Sequence, residues 1–182
     1  MSEPVSDGPS RPTGPDRRLI GWMAGLAGVV LAVDQLTKYW AVSALSGRDP
    51  IEVIGELIQL RLLYNSGAAF SIGTDLTGLL TLVVVVVVGV VIRVSAKLGS
   101  RGWAVAFGLL LGGAFGNLVD RLFREPGFPE GHVVDFIDYA GFFVGNVADI
   151  AITAAAVAIA LLTLKGIGVD GRRHHGDDKP EQ

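Results

Sequence analysis

The sequence predicts an all-α membrane protein: four transmembrane helices, with a small β-containing, outward-facing surface segment between the first and second. Three observations predict it. Half of the 182 residues are hydrophobic, and the mean hydropathy is +0.49 although 18% of residues are charged. Those charges gather at the two ends and in a few short connections, and the stretches between are nearly free of them. Four such stretches each have roughly the twenty residues that cross a ~30 Å hydrocarbon layer.

Residues 1–16 are rich in Pro, Gly, Ser and charge, and read as a disordered tail. The first apolar stretch runs from Leu19 to Val42. It is too long for a signal peptide, lacks a small-residue cleavage site and carries Asp34 and Lys38 near its end, so it reads as a retained helix. The second runs from Leu76 to Val94 and includes the valine run Val83–Val88. In water such a run favours a strand. In lipid a lone strand leaves its backbone groups unpaired, so a helix wins. The third runs from Gly102 to Leu122 and the fourth from Phe142 to Leu164. Both are dense in Gly and Ala, which lets helix backbones approach closely in lipid. The spanning domain is thus 17–168, and 169–182 reads as a second disordered tail.

Four spans put both termini on one side. The termini and the 93–101 connection hold most of the basic residues, among them Arg17, Arg18, Arg93, Lys97, Arg101 and Lys165. The positive-inside rule then places both termini in the cytoplasm and the connections 43–75 and 123–141 outside. Within 43–75, Leu57–Tyr64 alternates weakly and suggests short strands on the membrane surface, ended by the turn Asn65-Ser66-Gly67. Asp135 and Asp138 read as loop or interface acids of the other outward connection. Cysteine is absent, which excludes disulfides, thiolate metal sites and a Cys nucleophile.

The chemistry is carried by an internal echo. Gly116-Asn117-Leu118-Val119-Asp120 and Gly145-Asn146-Val147-Ala148-Asp149 each place Asn and Asp one helical turn apart. A carboxylate within a membrane costs a few kcal/mol and is rarely kept without a use. Asp120 precedes Arg124 by four residues, about 6 Å of helix; Asp149 follows Phe142 by seven, about 10 Å. Both acids therefore sit at similar depth in the outer part of the membrane. Two close carboxylates share a proton, so one can take a proton from water while the other protonates a peptide carbonyl. No metal or cofactor is required, and Asn117 and Asn146 can orient the acids. Asp34 and Lys38, four apart, read as an ion pair at the helix end. His132 with Asp135 is a weak metal signal. His174 and His175 read as solvated.

Five segments together resemble the lipoprotein signal peptidases, or signal peptidase II, the aspartic peptidases of bacterial membranes. They are Asp34-Gln35-Leu36-Thr37-Lys38, Asn65-Ser66-Gly67-Ala68-Ala69-Phe70, the run Gly112 to Arg121, Val133-Val134-Asp135-Phe136-Ile137, and Asn146-Val147-Ala148-Asp149. The resemblance implies that Asp120 and Asp149 are the catalytic pair. It implies that Asn65, Asn117, Arg121 and Asn146 line the site, with Asp34 and Lys38 in support. It implies a substrate too: a prolipoprotein carrying diacylglyceryl on its lipobox cysteine, cut just before that residue. The location it implies is the bacterial cytoplasmic membrane. One departure stands out: in that family an aromatic usually precedes the last Asn, and here it is Gly145.

Two other classes compete. A proton-coupled transporter would spread its acids through the membrane depth, whereas the inner halves of these helices lack ionisable residues. A non-catalytic binder of lipidated peptides has no use for an acid pair. The expected partners are prolipoproteins and membrane lipids, not nucleic acid, and the expected state is a monomer.

Overall fold

The computed structural model describes residues 16–67 and 77–173. The motif residues Ala68, Ala69 and Phe70, the start of the second stretch at Leu76, His174, His175 and most of both tails lie outside the described residues. In chain order the elements are α1 (Arg17–Leu45), β1 (Ile51–Ile54), β2 (Ile58–Asn65), α2 (Thr77–Ser95), α3 (Arg101–Phe123), β3 (Val133–Tyr139), β4 (Phe143–Gly145) and α4 (Val147–Leu164). All four helices are long and apolar enough to cross a membrane.

The third helix is the centre of the bundle. Of its most apolar window 56% is buried, against 22%, 22% and 17% for α1, α2 and α4. Its glycines explain how. A Cβ at Gly112 would stand 2.6 Å from Val30 Cβ on α1, and one at Gly113 would stand 2.6 Å from the Ala148 carbonyl on α4. Without those methyls the helices close backbone to backbone, the packing that dispersion rewards in lipid.

The sheet is larger than the sequence suggests. Strands β1-β2-β3-β4 form one antiparallel sheet in that order. Only β1 and β2 come from the connection between the first two helices. The other two come from the connection 123–141 and from what reads as the start of the fourth helix. The expectation that Asp135 and Asp138 are loop acids is therefore corrected: both are buried on β3. The hairpin between β3 and β4 turns at Ala140 (φ 54°) and Gly141 (φ 75°). The Gly141 N–H donates to Asp138 Oδ1 at 2.8 Å, which ties the turn to the end of the strand.

The fourth helix accordingly begins at Val147, not Phe142. Asn146 is its N-cap: its side chain accepts the Asp149 N–H while Asp149 accepts the Asn146 N–H, a reciprocal capping box. A further donor of this first turn, the Ala148 N–H, is met from another helix, by Asp34 Oδ1 at 2.9 Å. A carboxylate there also complements the positive end of the helix dipole.

At the opposite end of the bundle the ordered chain runs past residue 168. The Gly99 N–H donates to the Val169 carbonyl at 2.9 Å, and Trp103 Nε1 donates to the Ile167 carbonyl at 2.9 Å. Ile167 also bridges to Arg173. Backbone bonds hold this polar segment, so its composition gave no sign of order.

Candidate active site

The site forms where the end of α3, the first turn of α4 and β3 meet beside α1. It has an ionic half and an amide half.

The ionic half is wholly buried apart from Arg124. Lys38 Nζ lies 2.9 Å from Asp34 Oδ2 and 2.9 Å from Asp120 Oδ2. Asp120 Oδ1 also pairs with Arg124 Nε at 2.6 Å, and Asp120 Oδ2 accepts the Val134 N–H at 3.1 Å. Both oxygens of Asp120 thus face cations or donors. Gly116 is what lets α1 reach this place, since a Cβ there would collide with the Asp34 carboxylate.

The amide half is built on three asparagines. Asn117 Oδ1 accepts from Lys38 Nζ at 2.9 Å and from Asn146 Nδ2 at 3.2 Å. That fixes its amide, so Asn117 Nδ2 points to Asp149 Oδ1 at 3.1 Å. The backbone N–H of Asn146 donates to Asp149 Oδ2 at 3.0 Å. Asn146 Nδ2 donates to Asp135 Oδ1 at 2.6 Å, and Asn65 Nδ2 donates to Asp135 Oδ2 at 2.8 Å. Asn65 is itself oriented by an Asx turn, its Oδ1 accepting the Gly67 N–H at 2.7 Å. Arg121 lies beneath that turn: a Cβ at Gly67 would stand 3.2 Å from Arg121 Nη2.

Two acids therefore share one set of amides, and they are Asp135 and Asp149. Asp135 is buried, and burial pushes it up to about 6, the nearby Asp149 charge adding to the rise while the Asn65 and Asn146 bonds oppose it. Asp149 is half-buried and open on one side.

The eight site residues expected from the sequence all come together here. The polar path from Asp120 to Asp149 runs through Lys38 and Asn117. The residue the sequence reading missed is Asp135. Its signal was a carboxylate inside an otherwise β-forming run, Val133 to Tyr139, which a strand brings to a buried position. Asn65 stands in the cluster, its amide bonding Asp135 and its own turn.

His132 lines a separate cavity of about 520 Å³ with Tyr64, Phe123, Arg124 and Glu125. Among the described residues no three His, Cys, Asp or Glu side chains are grouped to hold a metal ion.

Four spanning helices that close on paired carboxylates at one end define a multi-pass membrane hydrolase of the aspartic type. The family model described as signal peptidase (SPase) II matches residues 26–165, and the chain belongs to that family. It is 48% identical over 171 residues to a lipoprotein signal peptidase of Rhodococcus jostii (strain RHA1), covering 94% of this chain and 85% of the relative. It is 44% identical over 182 residues to one of Mycolicibacterium smegmatis, covering 97% and 77%. A solved bacterial membrane enzyme matches with TM-score 0.70 and 28% identity over 85% of this chain and 99% of its own. A second matches with TM-score 0.72 and 25% identity over 94% and 99%.

Proposed function

We propose that this peptidase removes the signal peptide from diacylglyceryl-modified prolipoproteins, cutting just before the lipid-bearing cysteine, with Asp135 and Asp149 as its acid pair. The observation that carries the assignment of the pair is Asn146, which donates to Asp135 at 2.6 Å and to Asp149 at 3.0 Å. One residue thus fixes both carboxylates, while Asp120 is occupied by two cations.

The two acids have different surroundings, and that divides their work. Asp149 is only half-buried and is held by an N–H on each oxygen. It takes a proton from the attacking water. Asp135, buried and pushed up to about 6, holds the proton and gives it to the scissile carbonyl oxygen. Water adds to the carbonyl carbon to give a neutral gem-diol. Asp149 then returns its proton to the leaving nitrogen, Asp135 recovers one from a diol hydroxyl, and the C–N bond breaks. Asp34, Lys38 and Asp120 form the ionic anchor that sets Asn117, and Arg121 supports the Asn65 turn.

The site sits at the bundle end away from the basic 93–101 connection. That favours cytoplasmic termini and a site toward the outer face of the bacterial cytoplasmic membrane, where a lipid-anchored cysteine presents its scissile bond.

The test is cleavage of a diacylglyceryl-modified lipobox peptide by purified protein, beside the unlipidated peptide. Wild type is expected to cut only the lipidated form. Asp135→Asn and Asp149→Asn should each lose at least about a thousandfold in kcat while remaining folded. Substantial turnover by Asp135→Asn removes it from the pair.

A further inference from the structure

A half-exposed aromatic shelf stands beside Asp149 and is unused by the chemistry above. Tyr139 and Phe143 are cross-strand partners on β3 and β4, and their rings stack with centroids 6.1 Å apart and 20° between planes. Directly opposed aromatics on an antiparallel pair are placed to do this. Phe143 and Gly145 are two apart on one strand, so their side-chain directions share a face.

Gly145 has nothing on that face, and the Phe143 ring fills the place. A Cβ at Gly145 would stand 2.6 Å from Phe143 Cε1 and 2.9 Å from Asp149 Oδ2. The glycine is not there for its backbone, since its φ is not among the positive ones. It is there because the ring and the carboxylate both crowd its α-carbon. Burial raises the Tyr139 hydroxyl, and the Asp149 charge raises it further, so both rings belong to the surroundings of this acid.

Phe143 lies three residues before the cap of α4, a helix long and apolar enough to cross a membrane. Phe143 is 51% exposed there, and its neighbour Phe142 is 95% exposed. Aromatic residues at the ends of such helices commonly anchor a protein to the interface, and Phe142 fits that use. Phe143 differs, because its ring is turned back over Gly145 toward the catalytic acid.

We propose that the Tyr139–Phe143 stack is the wall against which the lipid-bearing residue of the substrate rests, with Phe143 reading the acyl chains. The proposal rests on the function given above. A ring face offers dispersion to acyl methylenes and a favourable contact to a thioether sulfur. Gly145 keeps the space between the wall and Asp149 narrow, so a chain held by the ring places its peptide bond at the acid pair.

The test compares a dipalmitoylglyceryl lipobox peptide with its diacetylglyceryl counterpart at fixed detergent concentration. Phe143→Ala should raise KM for the long-chain substrate roughly tenfold, with kcat within about twofold and the short-chain KM unchanged. Phe143→Leu should fall between, and its short-chain turnover reports that the fold is intact. Phe142→Ala should leave the ratio of the two substrates at the wild-type value. Gly145→Ala should raise the long-chain KM by displacing the ring and should also lower kcat on both substrates, because its methyl meets the Asp149 carboxylate. Equal losses on both substrates in Phe143→Ala, equal effects of Phe142→Ala and Phe143→Ala, or no effect of Phe143→Ala would each overturn the wall. If wild type ignores the lipid altogether, the proposed function falls with it. A lipid-dependent wild type with variants blind to chain length sinks the wall alone.

Discussion

Lys38 Nζ lies 2.9 Å from Asp120 Oδ2, and both side chains are wholly buried. An isolated charge in such a place would be far too costly, so each depends on the other and on Asp34 and Arg124. Removing one member strands its partners. Lys38→Met should lower stability by about 3–5 kcal/mol, because it leaves two buried carboxylates facing no lysine. Asp120→Asn should also melt earlier in detergent, yet the folded fraction should retain measurable cleavage. An Asp120→Asn protein as stable as wild type and inactive would return Asp120 to the acid pair.

Asp135 gives a stability prediction with a definite sign. Its carboxyl is raised from 3.8 to about 6, mainly by burial. A raised acid binds its proton more tightly in the folded state than in the unfolded one. Stability therefore falls as pH rises between about 4 and 6, and stays lower above that window. Asp135→Asn has no such charge to bury. Its Nδ2 faces a donor, Asn146 Nδ2 or Asn65 Nδ2, so it should melt below wild type at pH 4, and that deficit should shrink by on the order of 2 kcal/mol at pH 8. A deficit that is the same at both pH values would show that Asp135 is not held against its charge.

Asn65→Asp separates the turn from the site. Its Oδ1 accepts the Gly67 N–H, and an aspartate can do the same, so thermal stability should change little. Its Nδ2 donates to Asp135, and an aspartate puts an acceptor there instead. Cleavage at pH 7 should fall at least roughly tenfold, about 1.4 kcal/mol, and partly recover toward pH 5 as the new pair takes up a proton. Wild-type turnover at pH 7 would reduce Asn65 to a turn former.

Gly116→Ala tests how α1 reaches α4. The added methyl meets the Asp34 carboxylate, which must then leave the Ala148 N–H that it accepts at 2.9 Å. The expected loss is about 1–3 kcal/mol, as for other overpacked cores. Gly28→Ala on α1, where nothing lies within 4 Å of the new atom, is the matched control and should be neutral or slightly stabilising. Equal melting temperatures for the two variants would mean that Asp34 has another way to lie.

The spans were legible because hydropathy is summed along the chain. Each helix end was found to within a few residues except the start of α4. There the apolar residues Phe142 to Val144 continue the span in composition, although a hairpin turn at Ala140 and Gly141 and the N-cap at Asn146 interrupt it in space. The strand Val133–Tyr139 was missed for a related reason. It is buried along nearly its whole length, so it does not show the polar–apolar alternation that marks a half-exposed strand.

The sequence by itself determined four spans and the polar residues they carry at one end, because those need only composition and local spacing; the resemblance placed eight residues at the site, but neither Asp135 nor Arg124. The sequence could not show what surrounds each carboxylate. The repeated Asn-x-x-Asp spacing made Asp120 and Asp149 look equivalent, since each asparagine stands one turn from its own acid. Only the tertiary structure brings Lys38 and Arg124 onto Asp120 and carries Asp135 under Asn65 and Asn146. A carboxylate's role follows from what surrounds it, and residues up to 114 apart in sequence, as Ala148 is from Asp34, supply that surrounding.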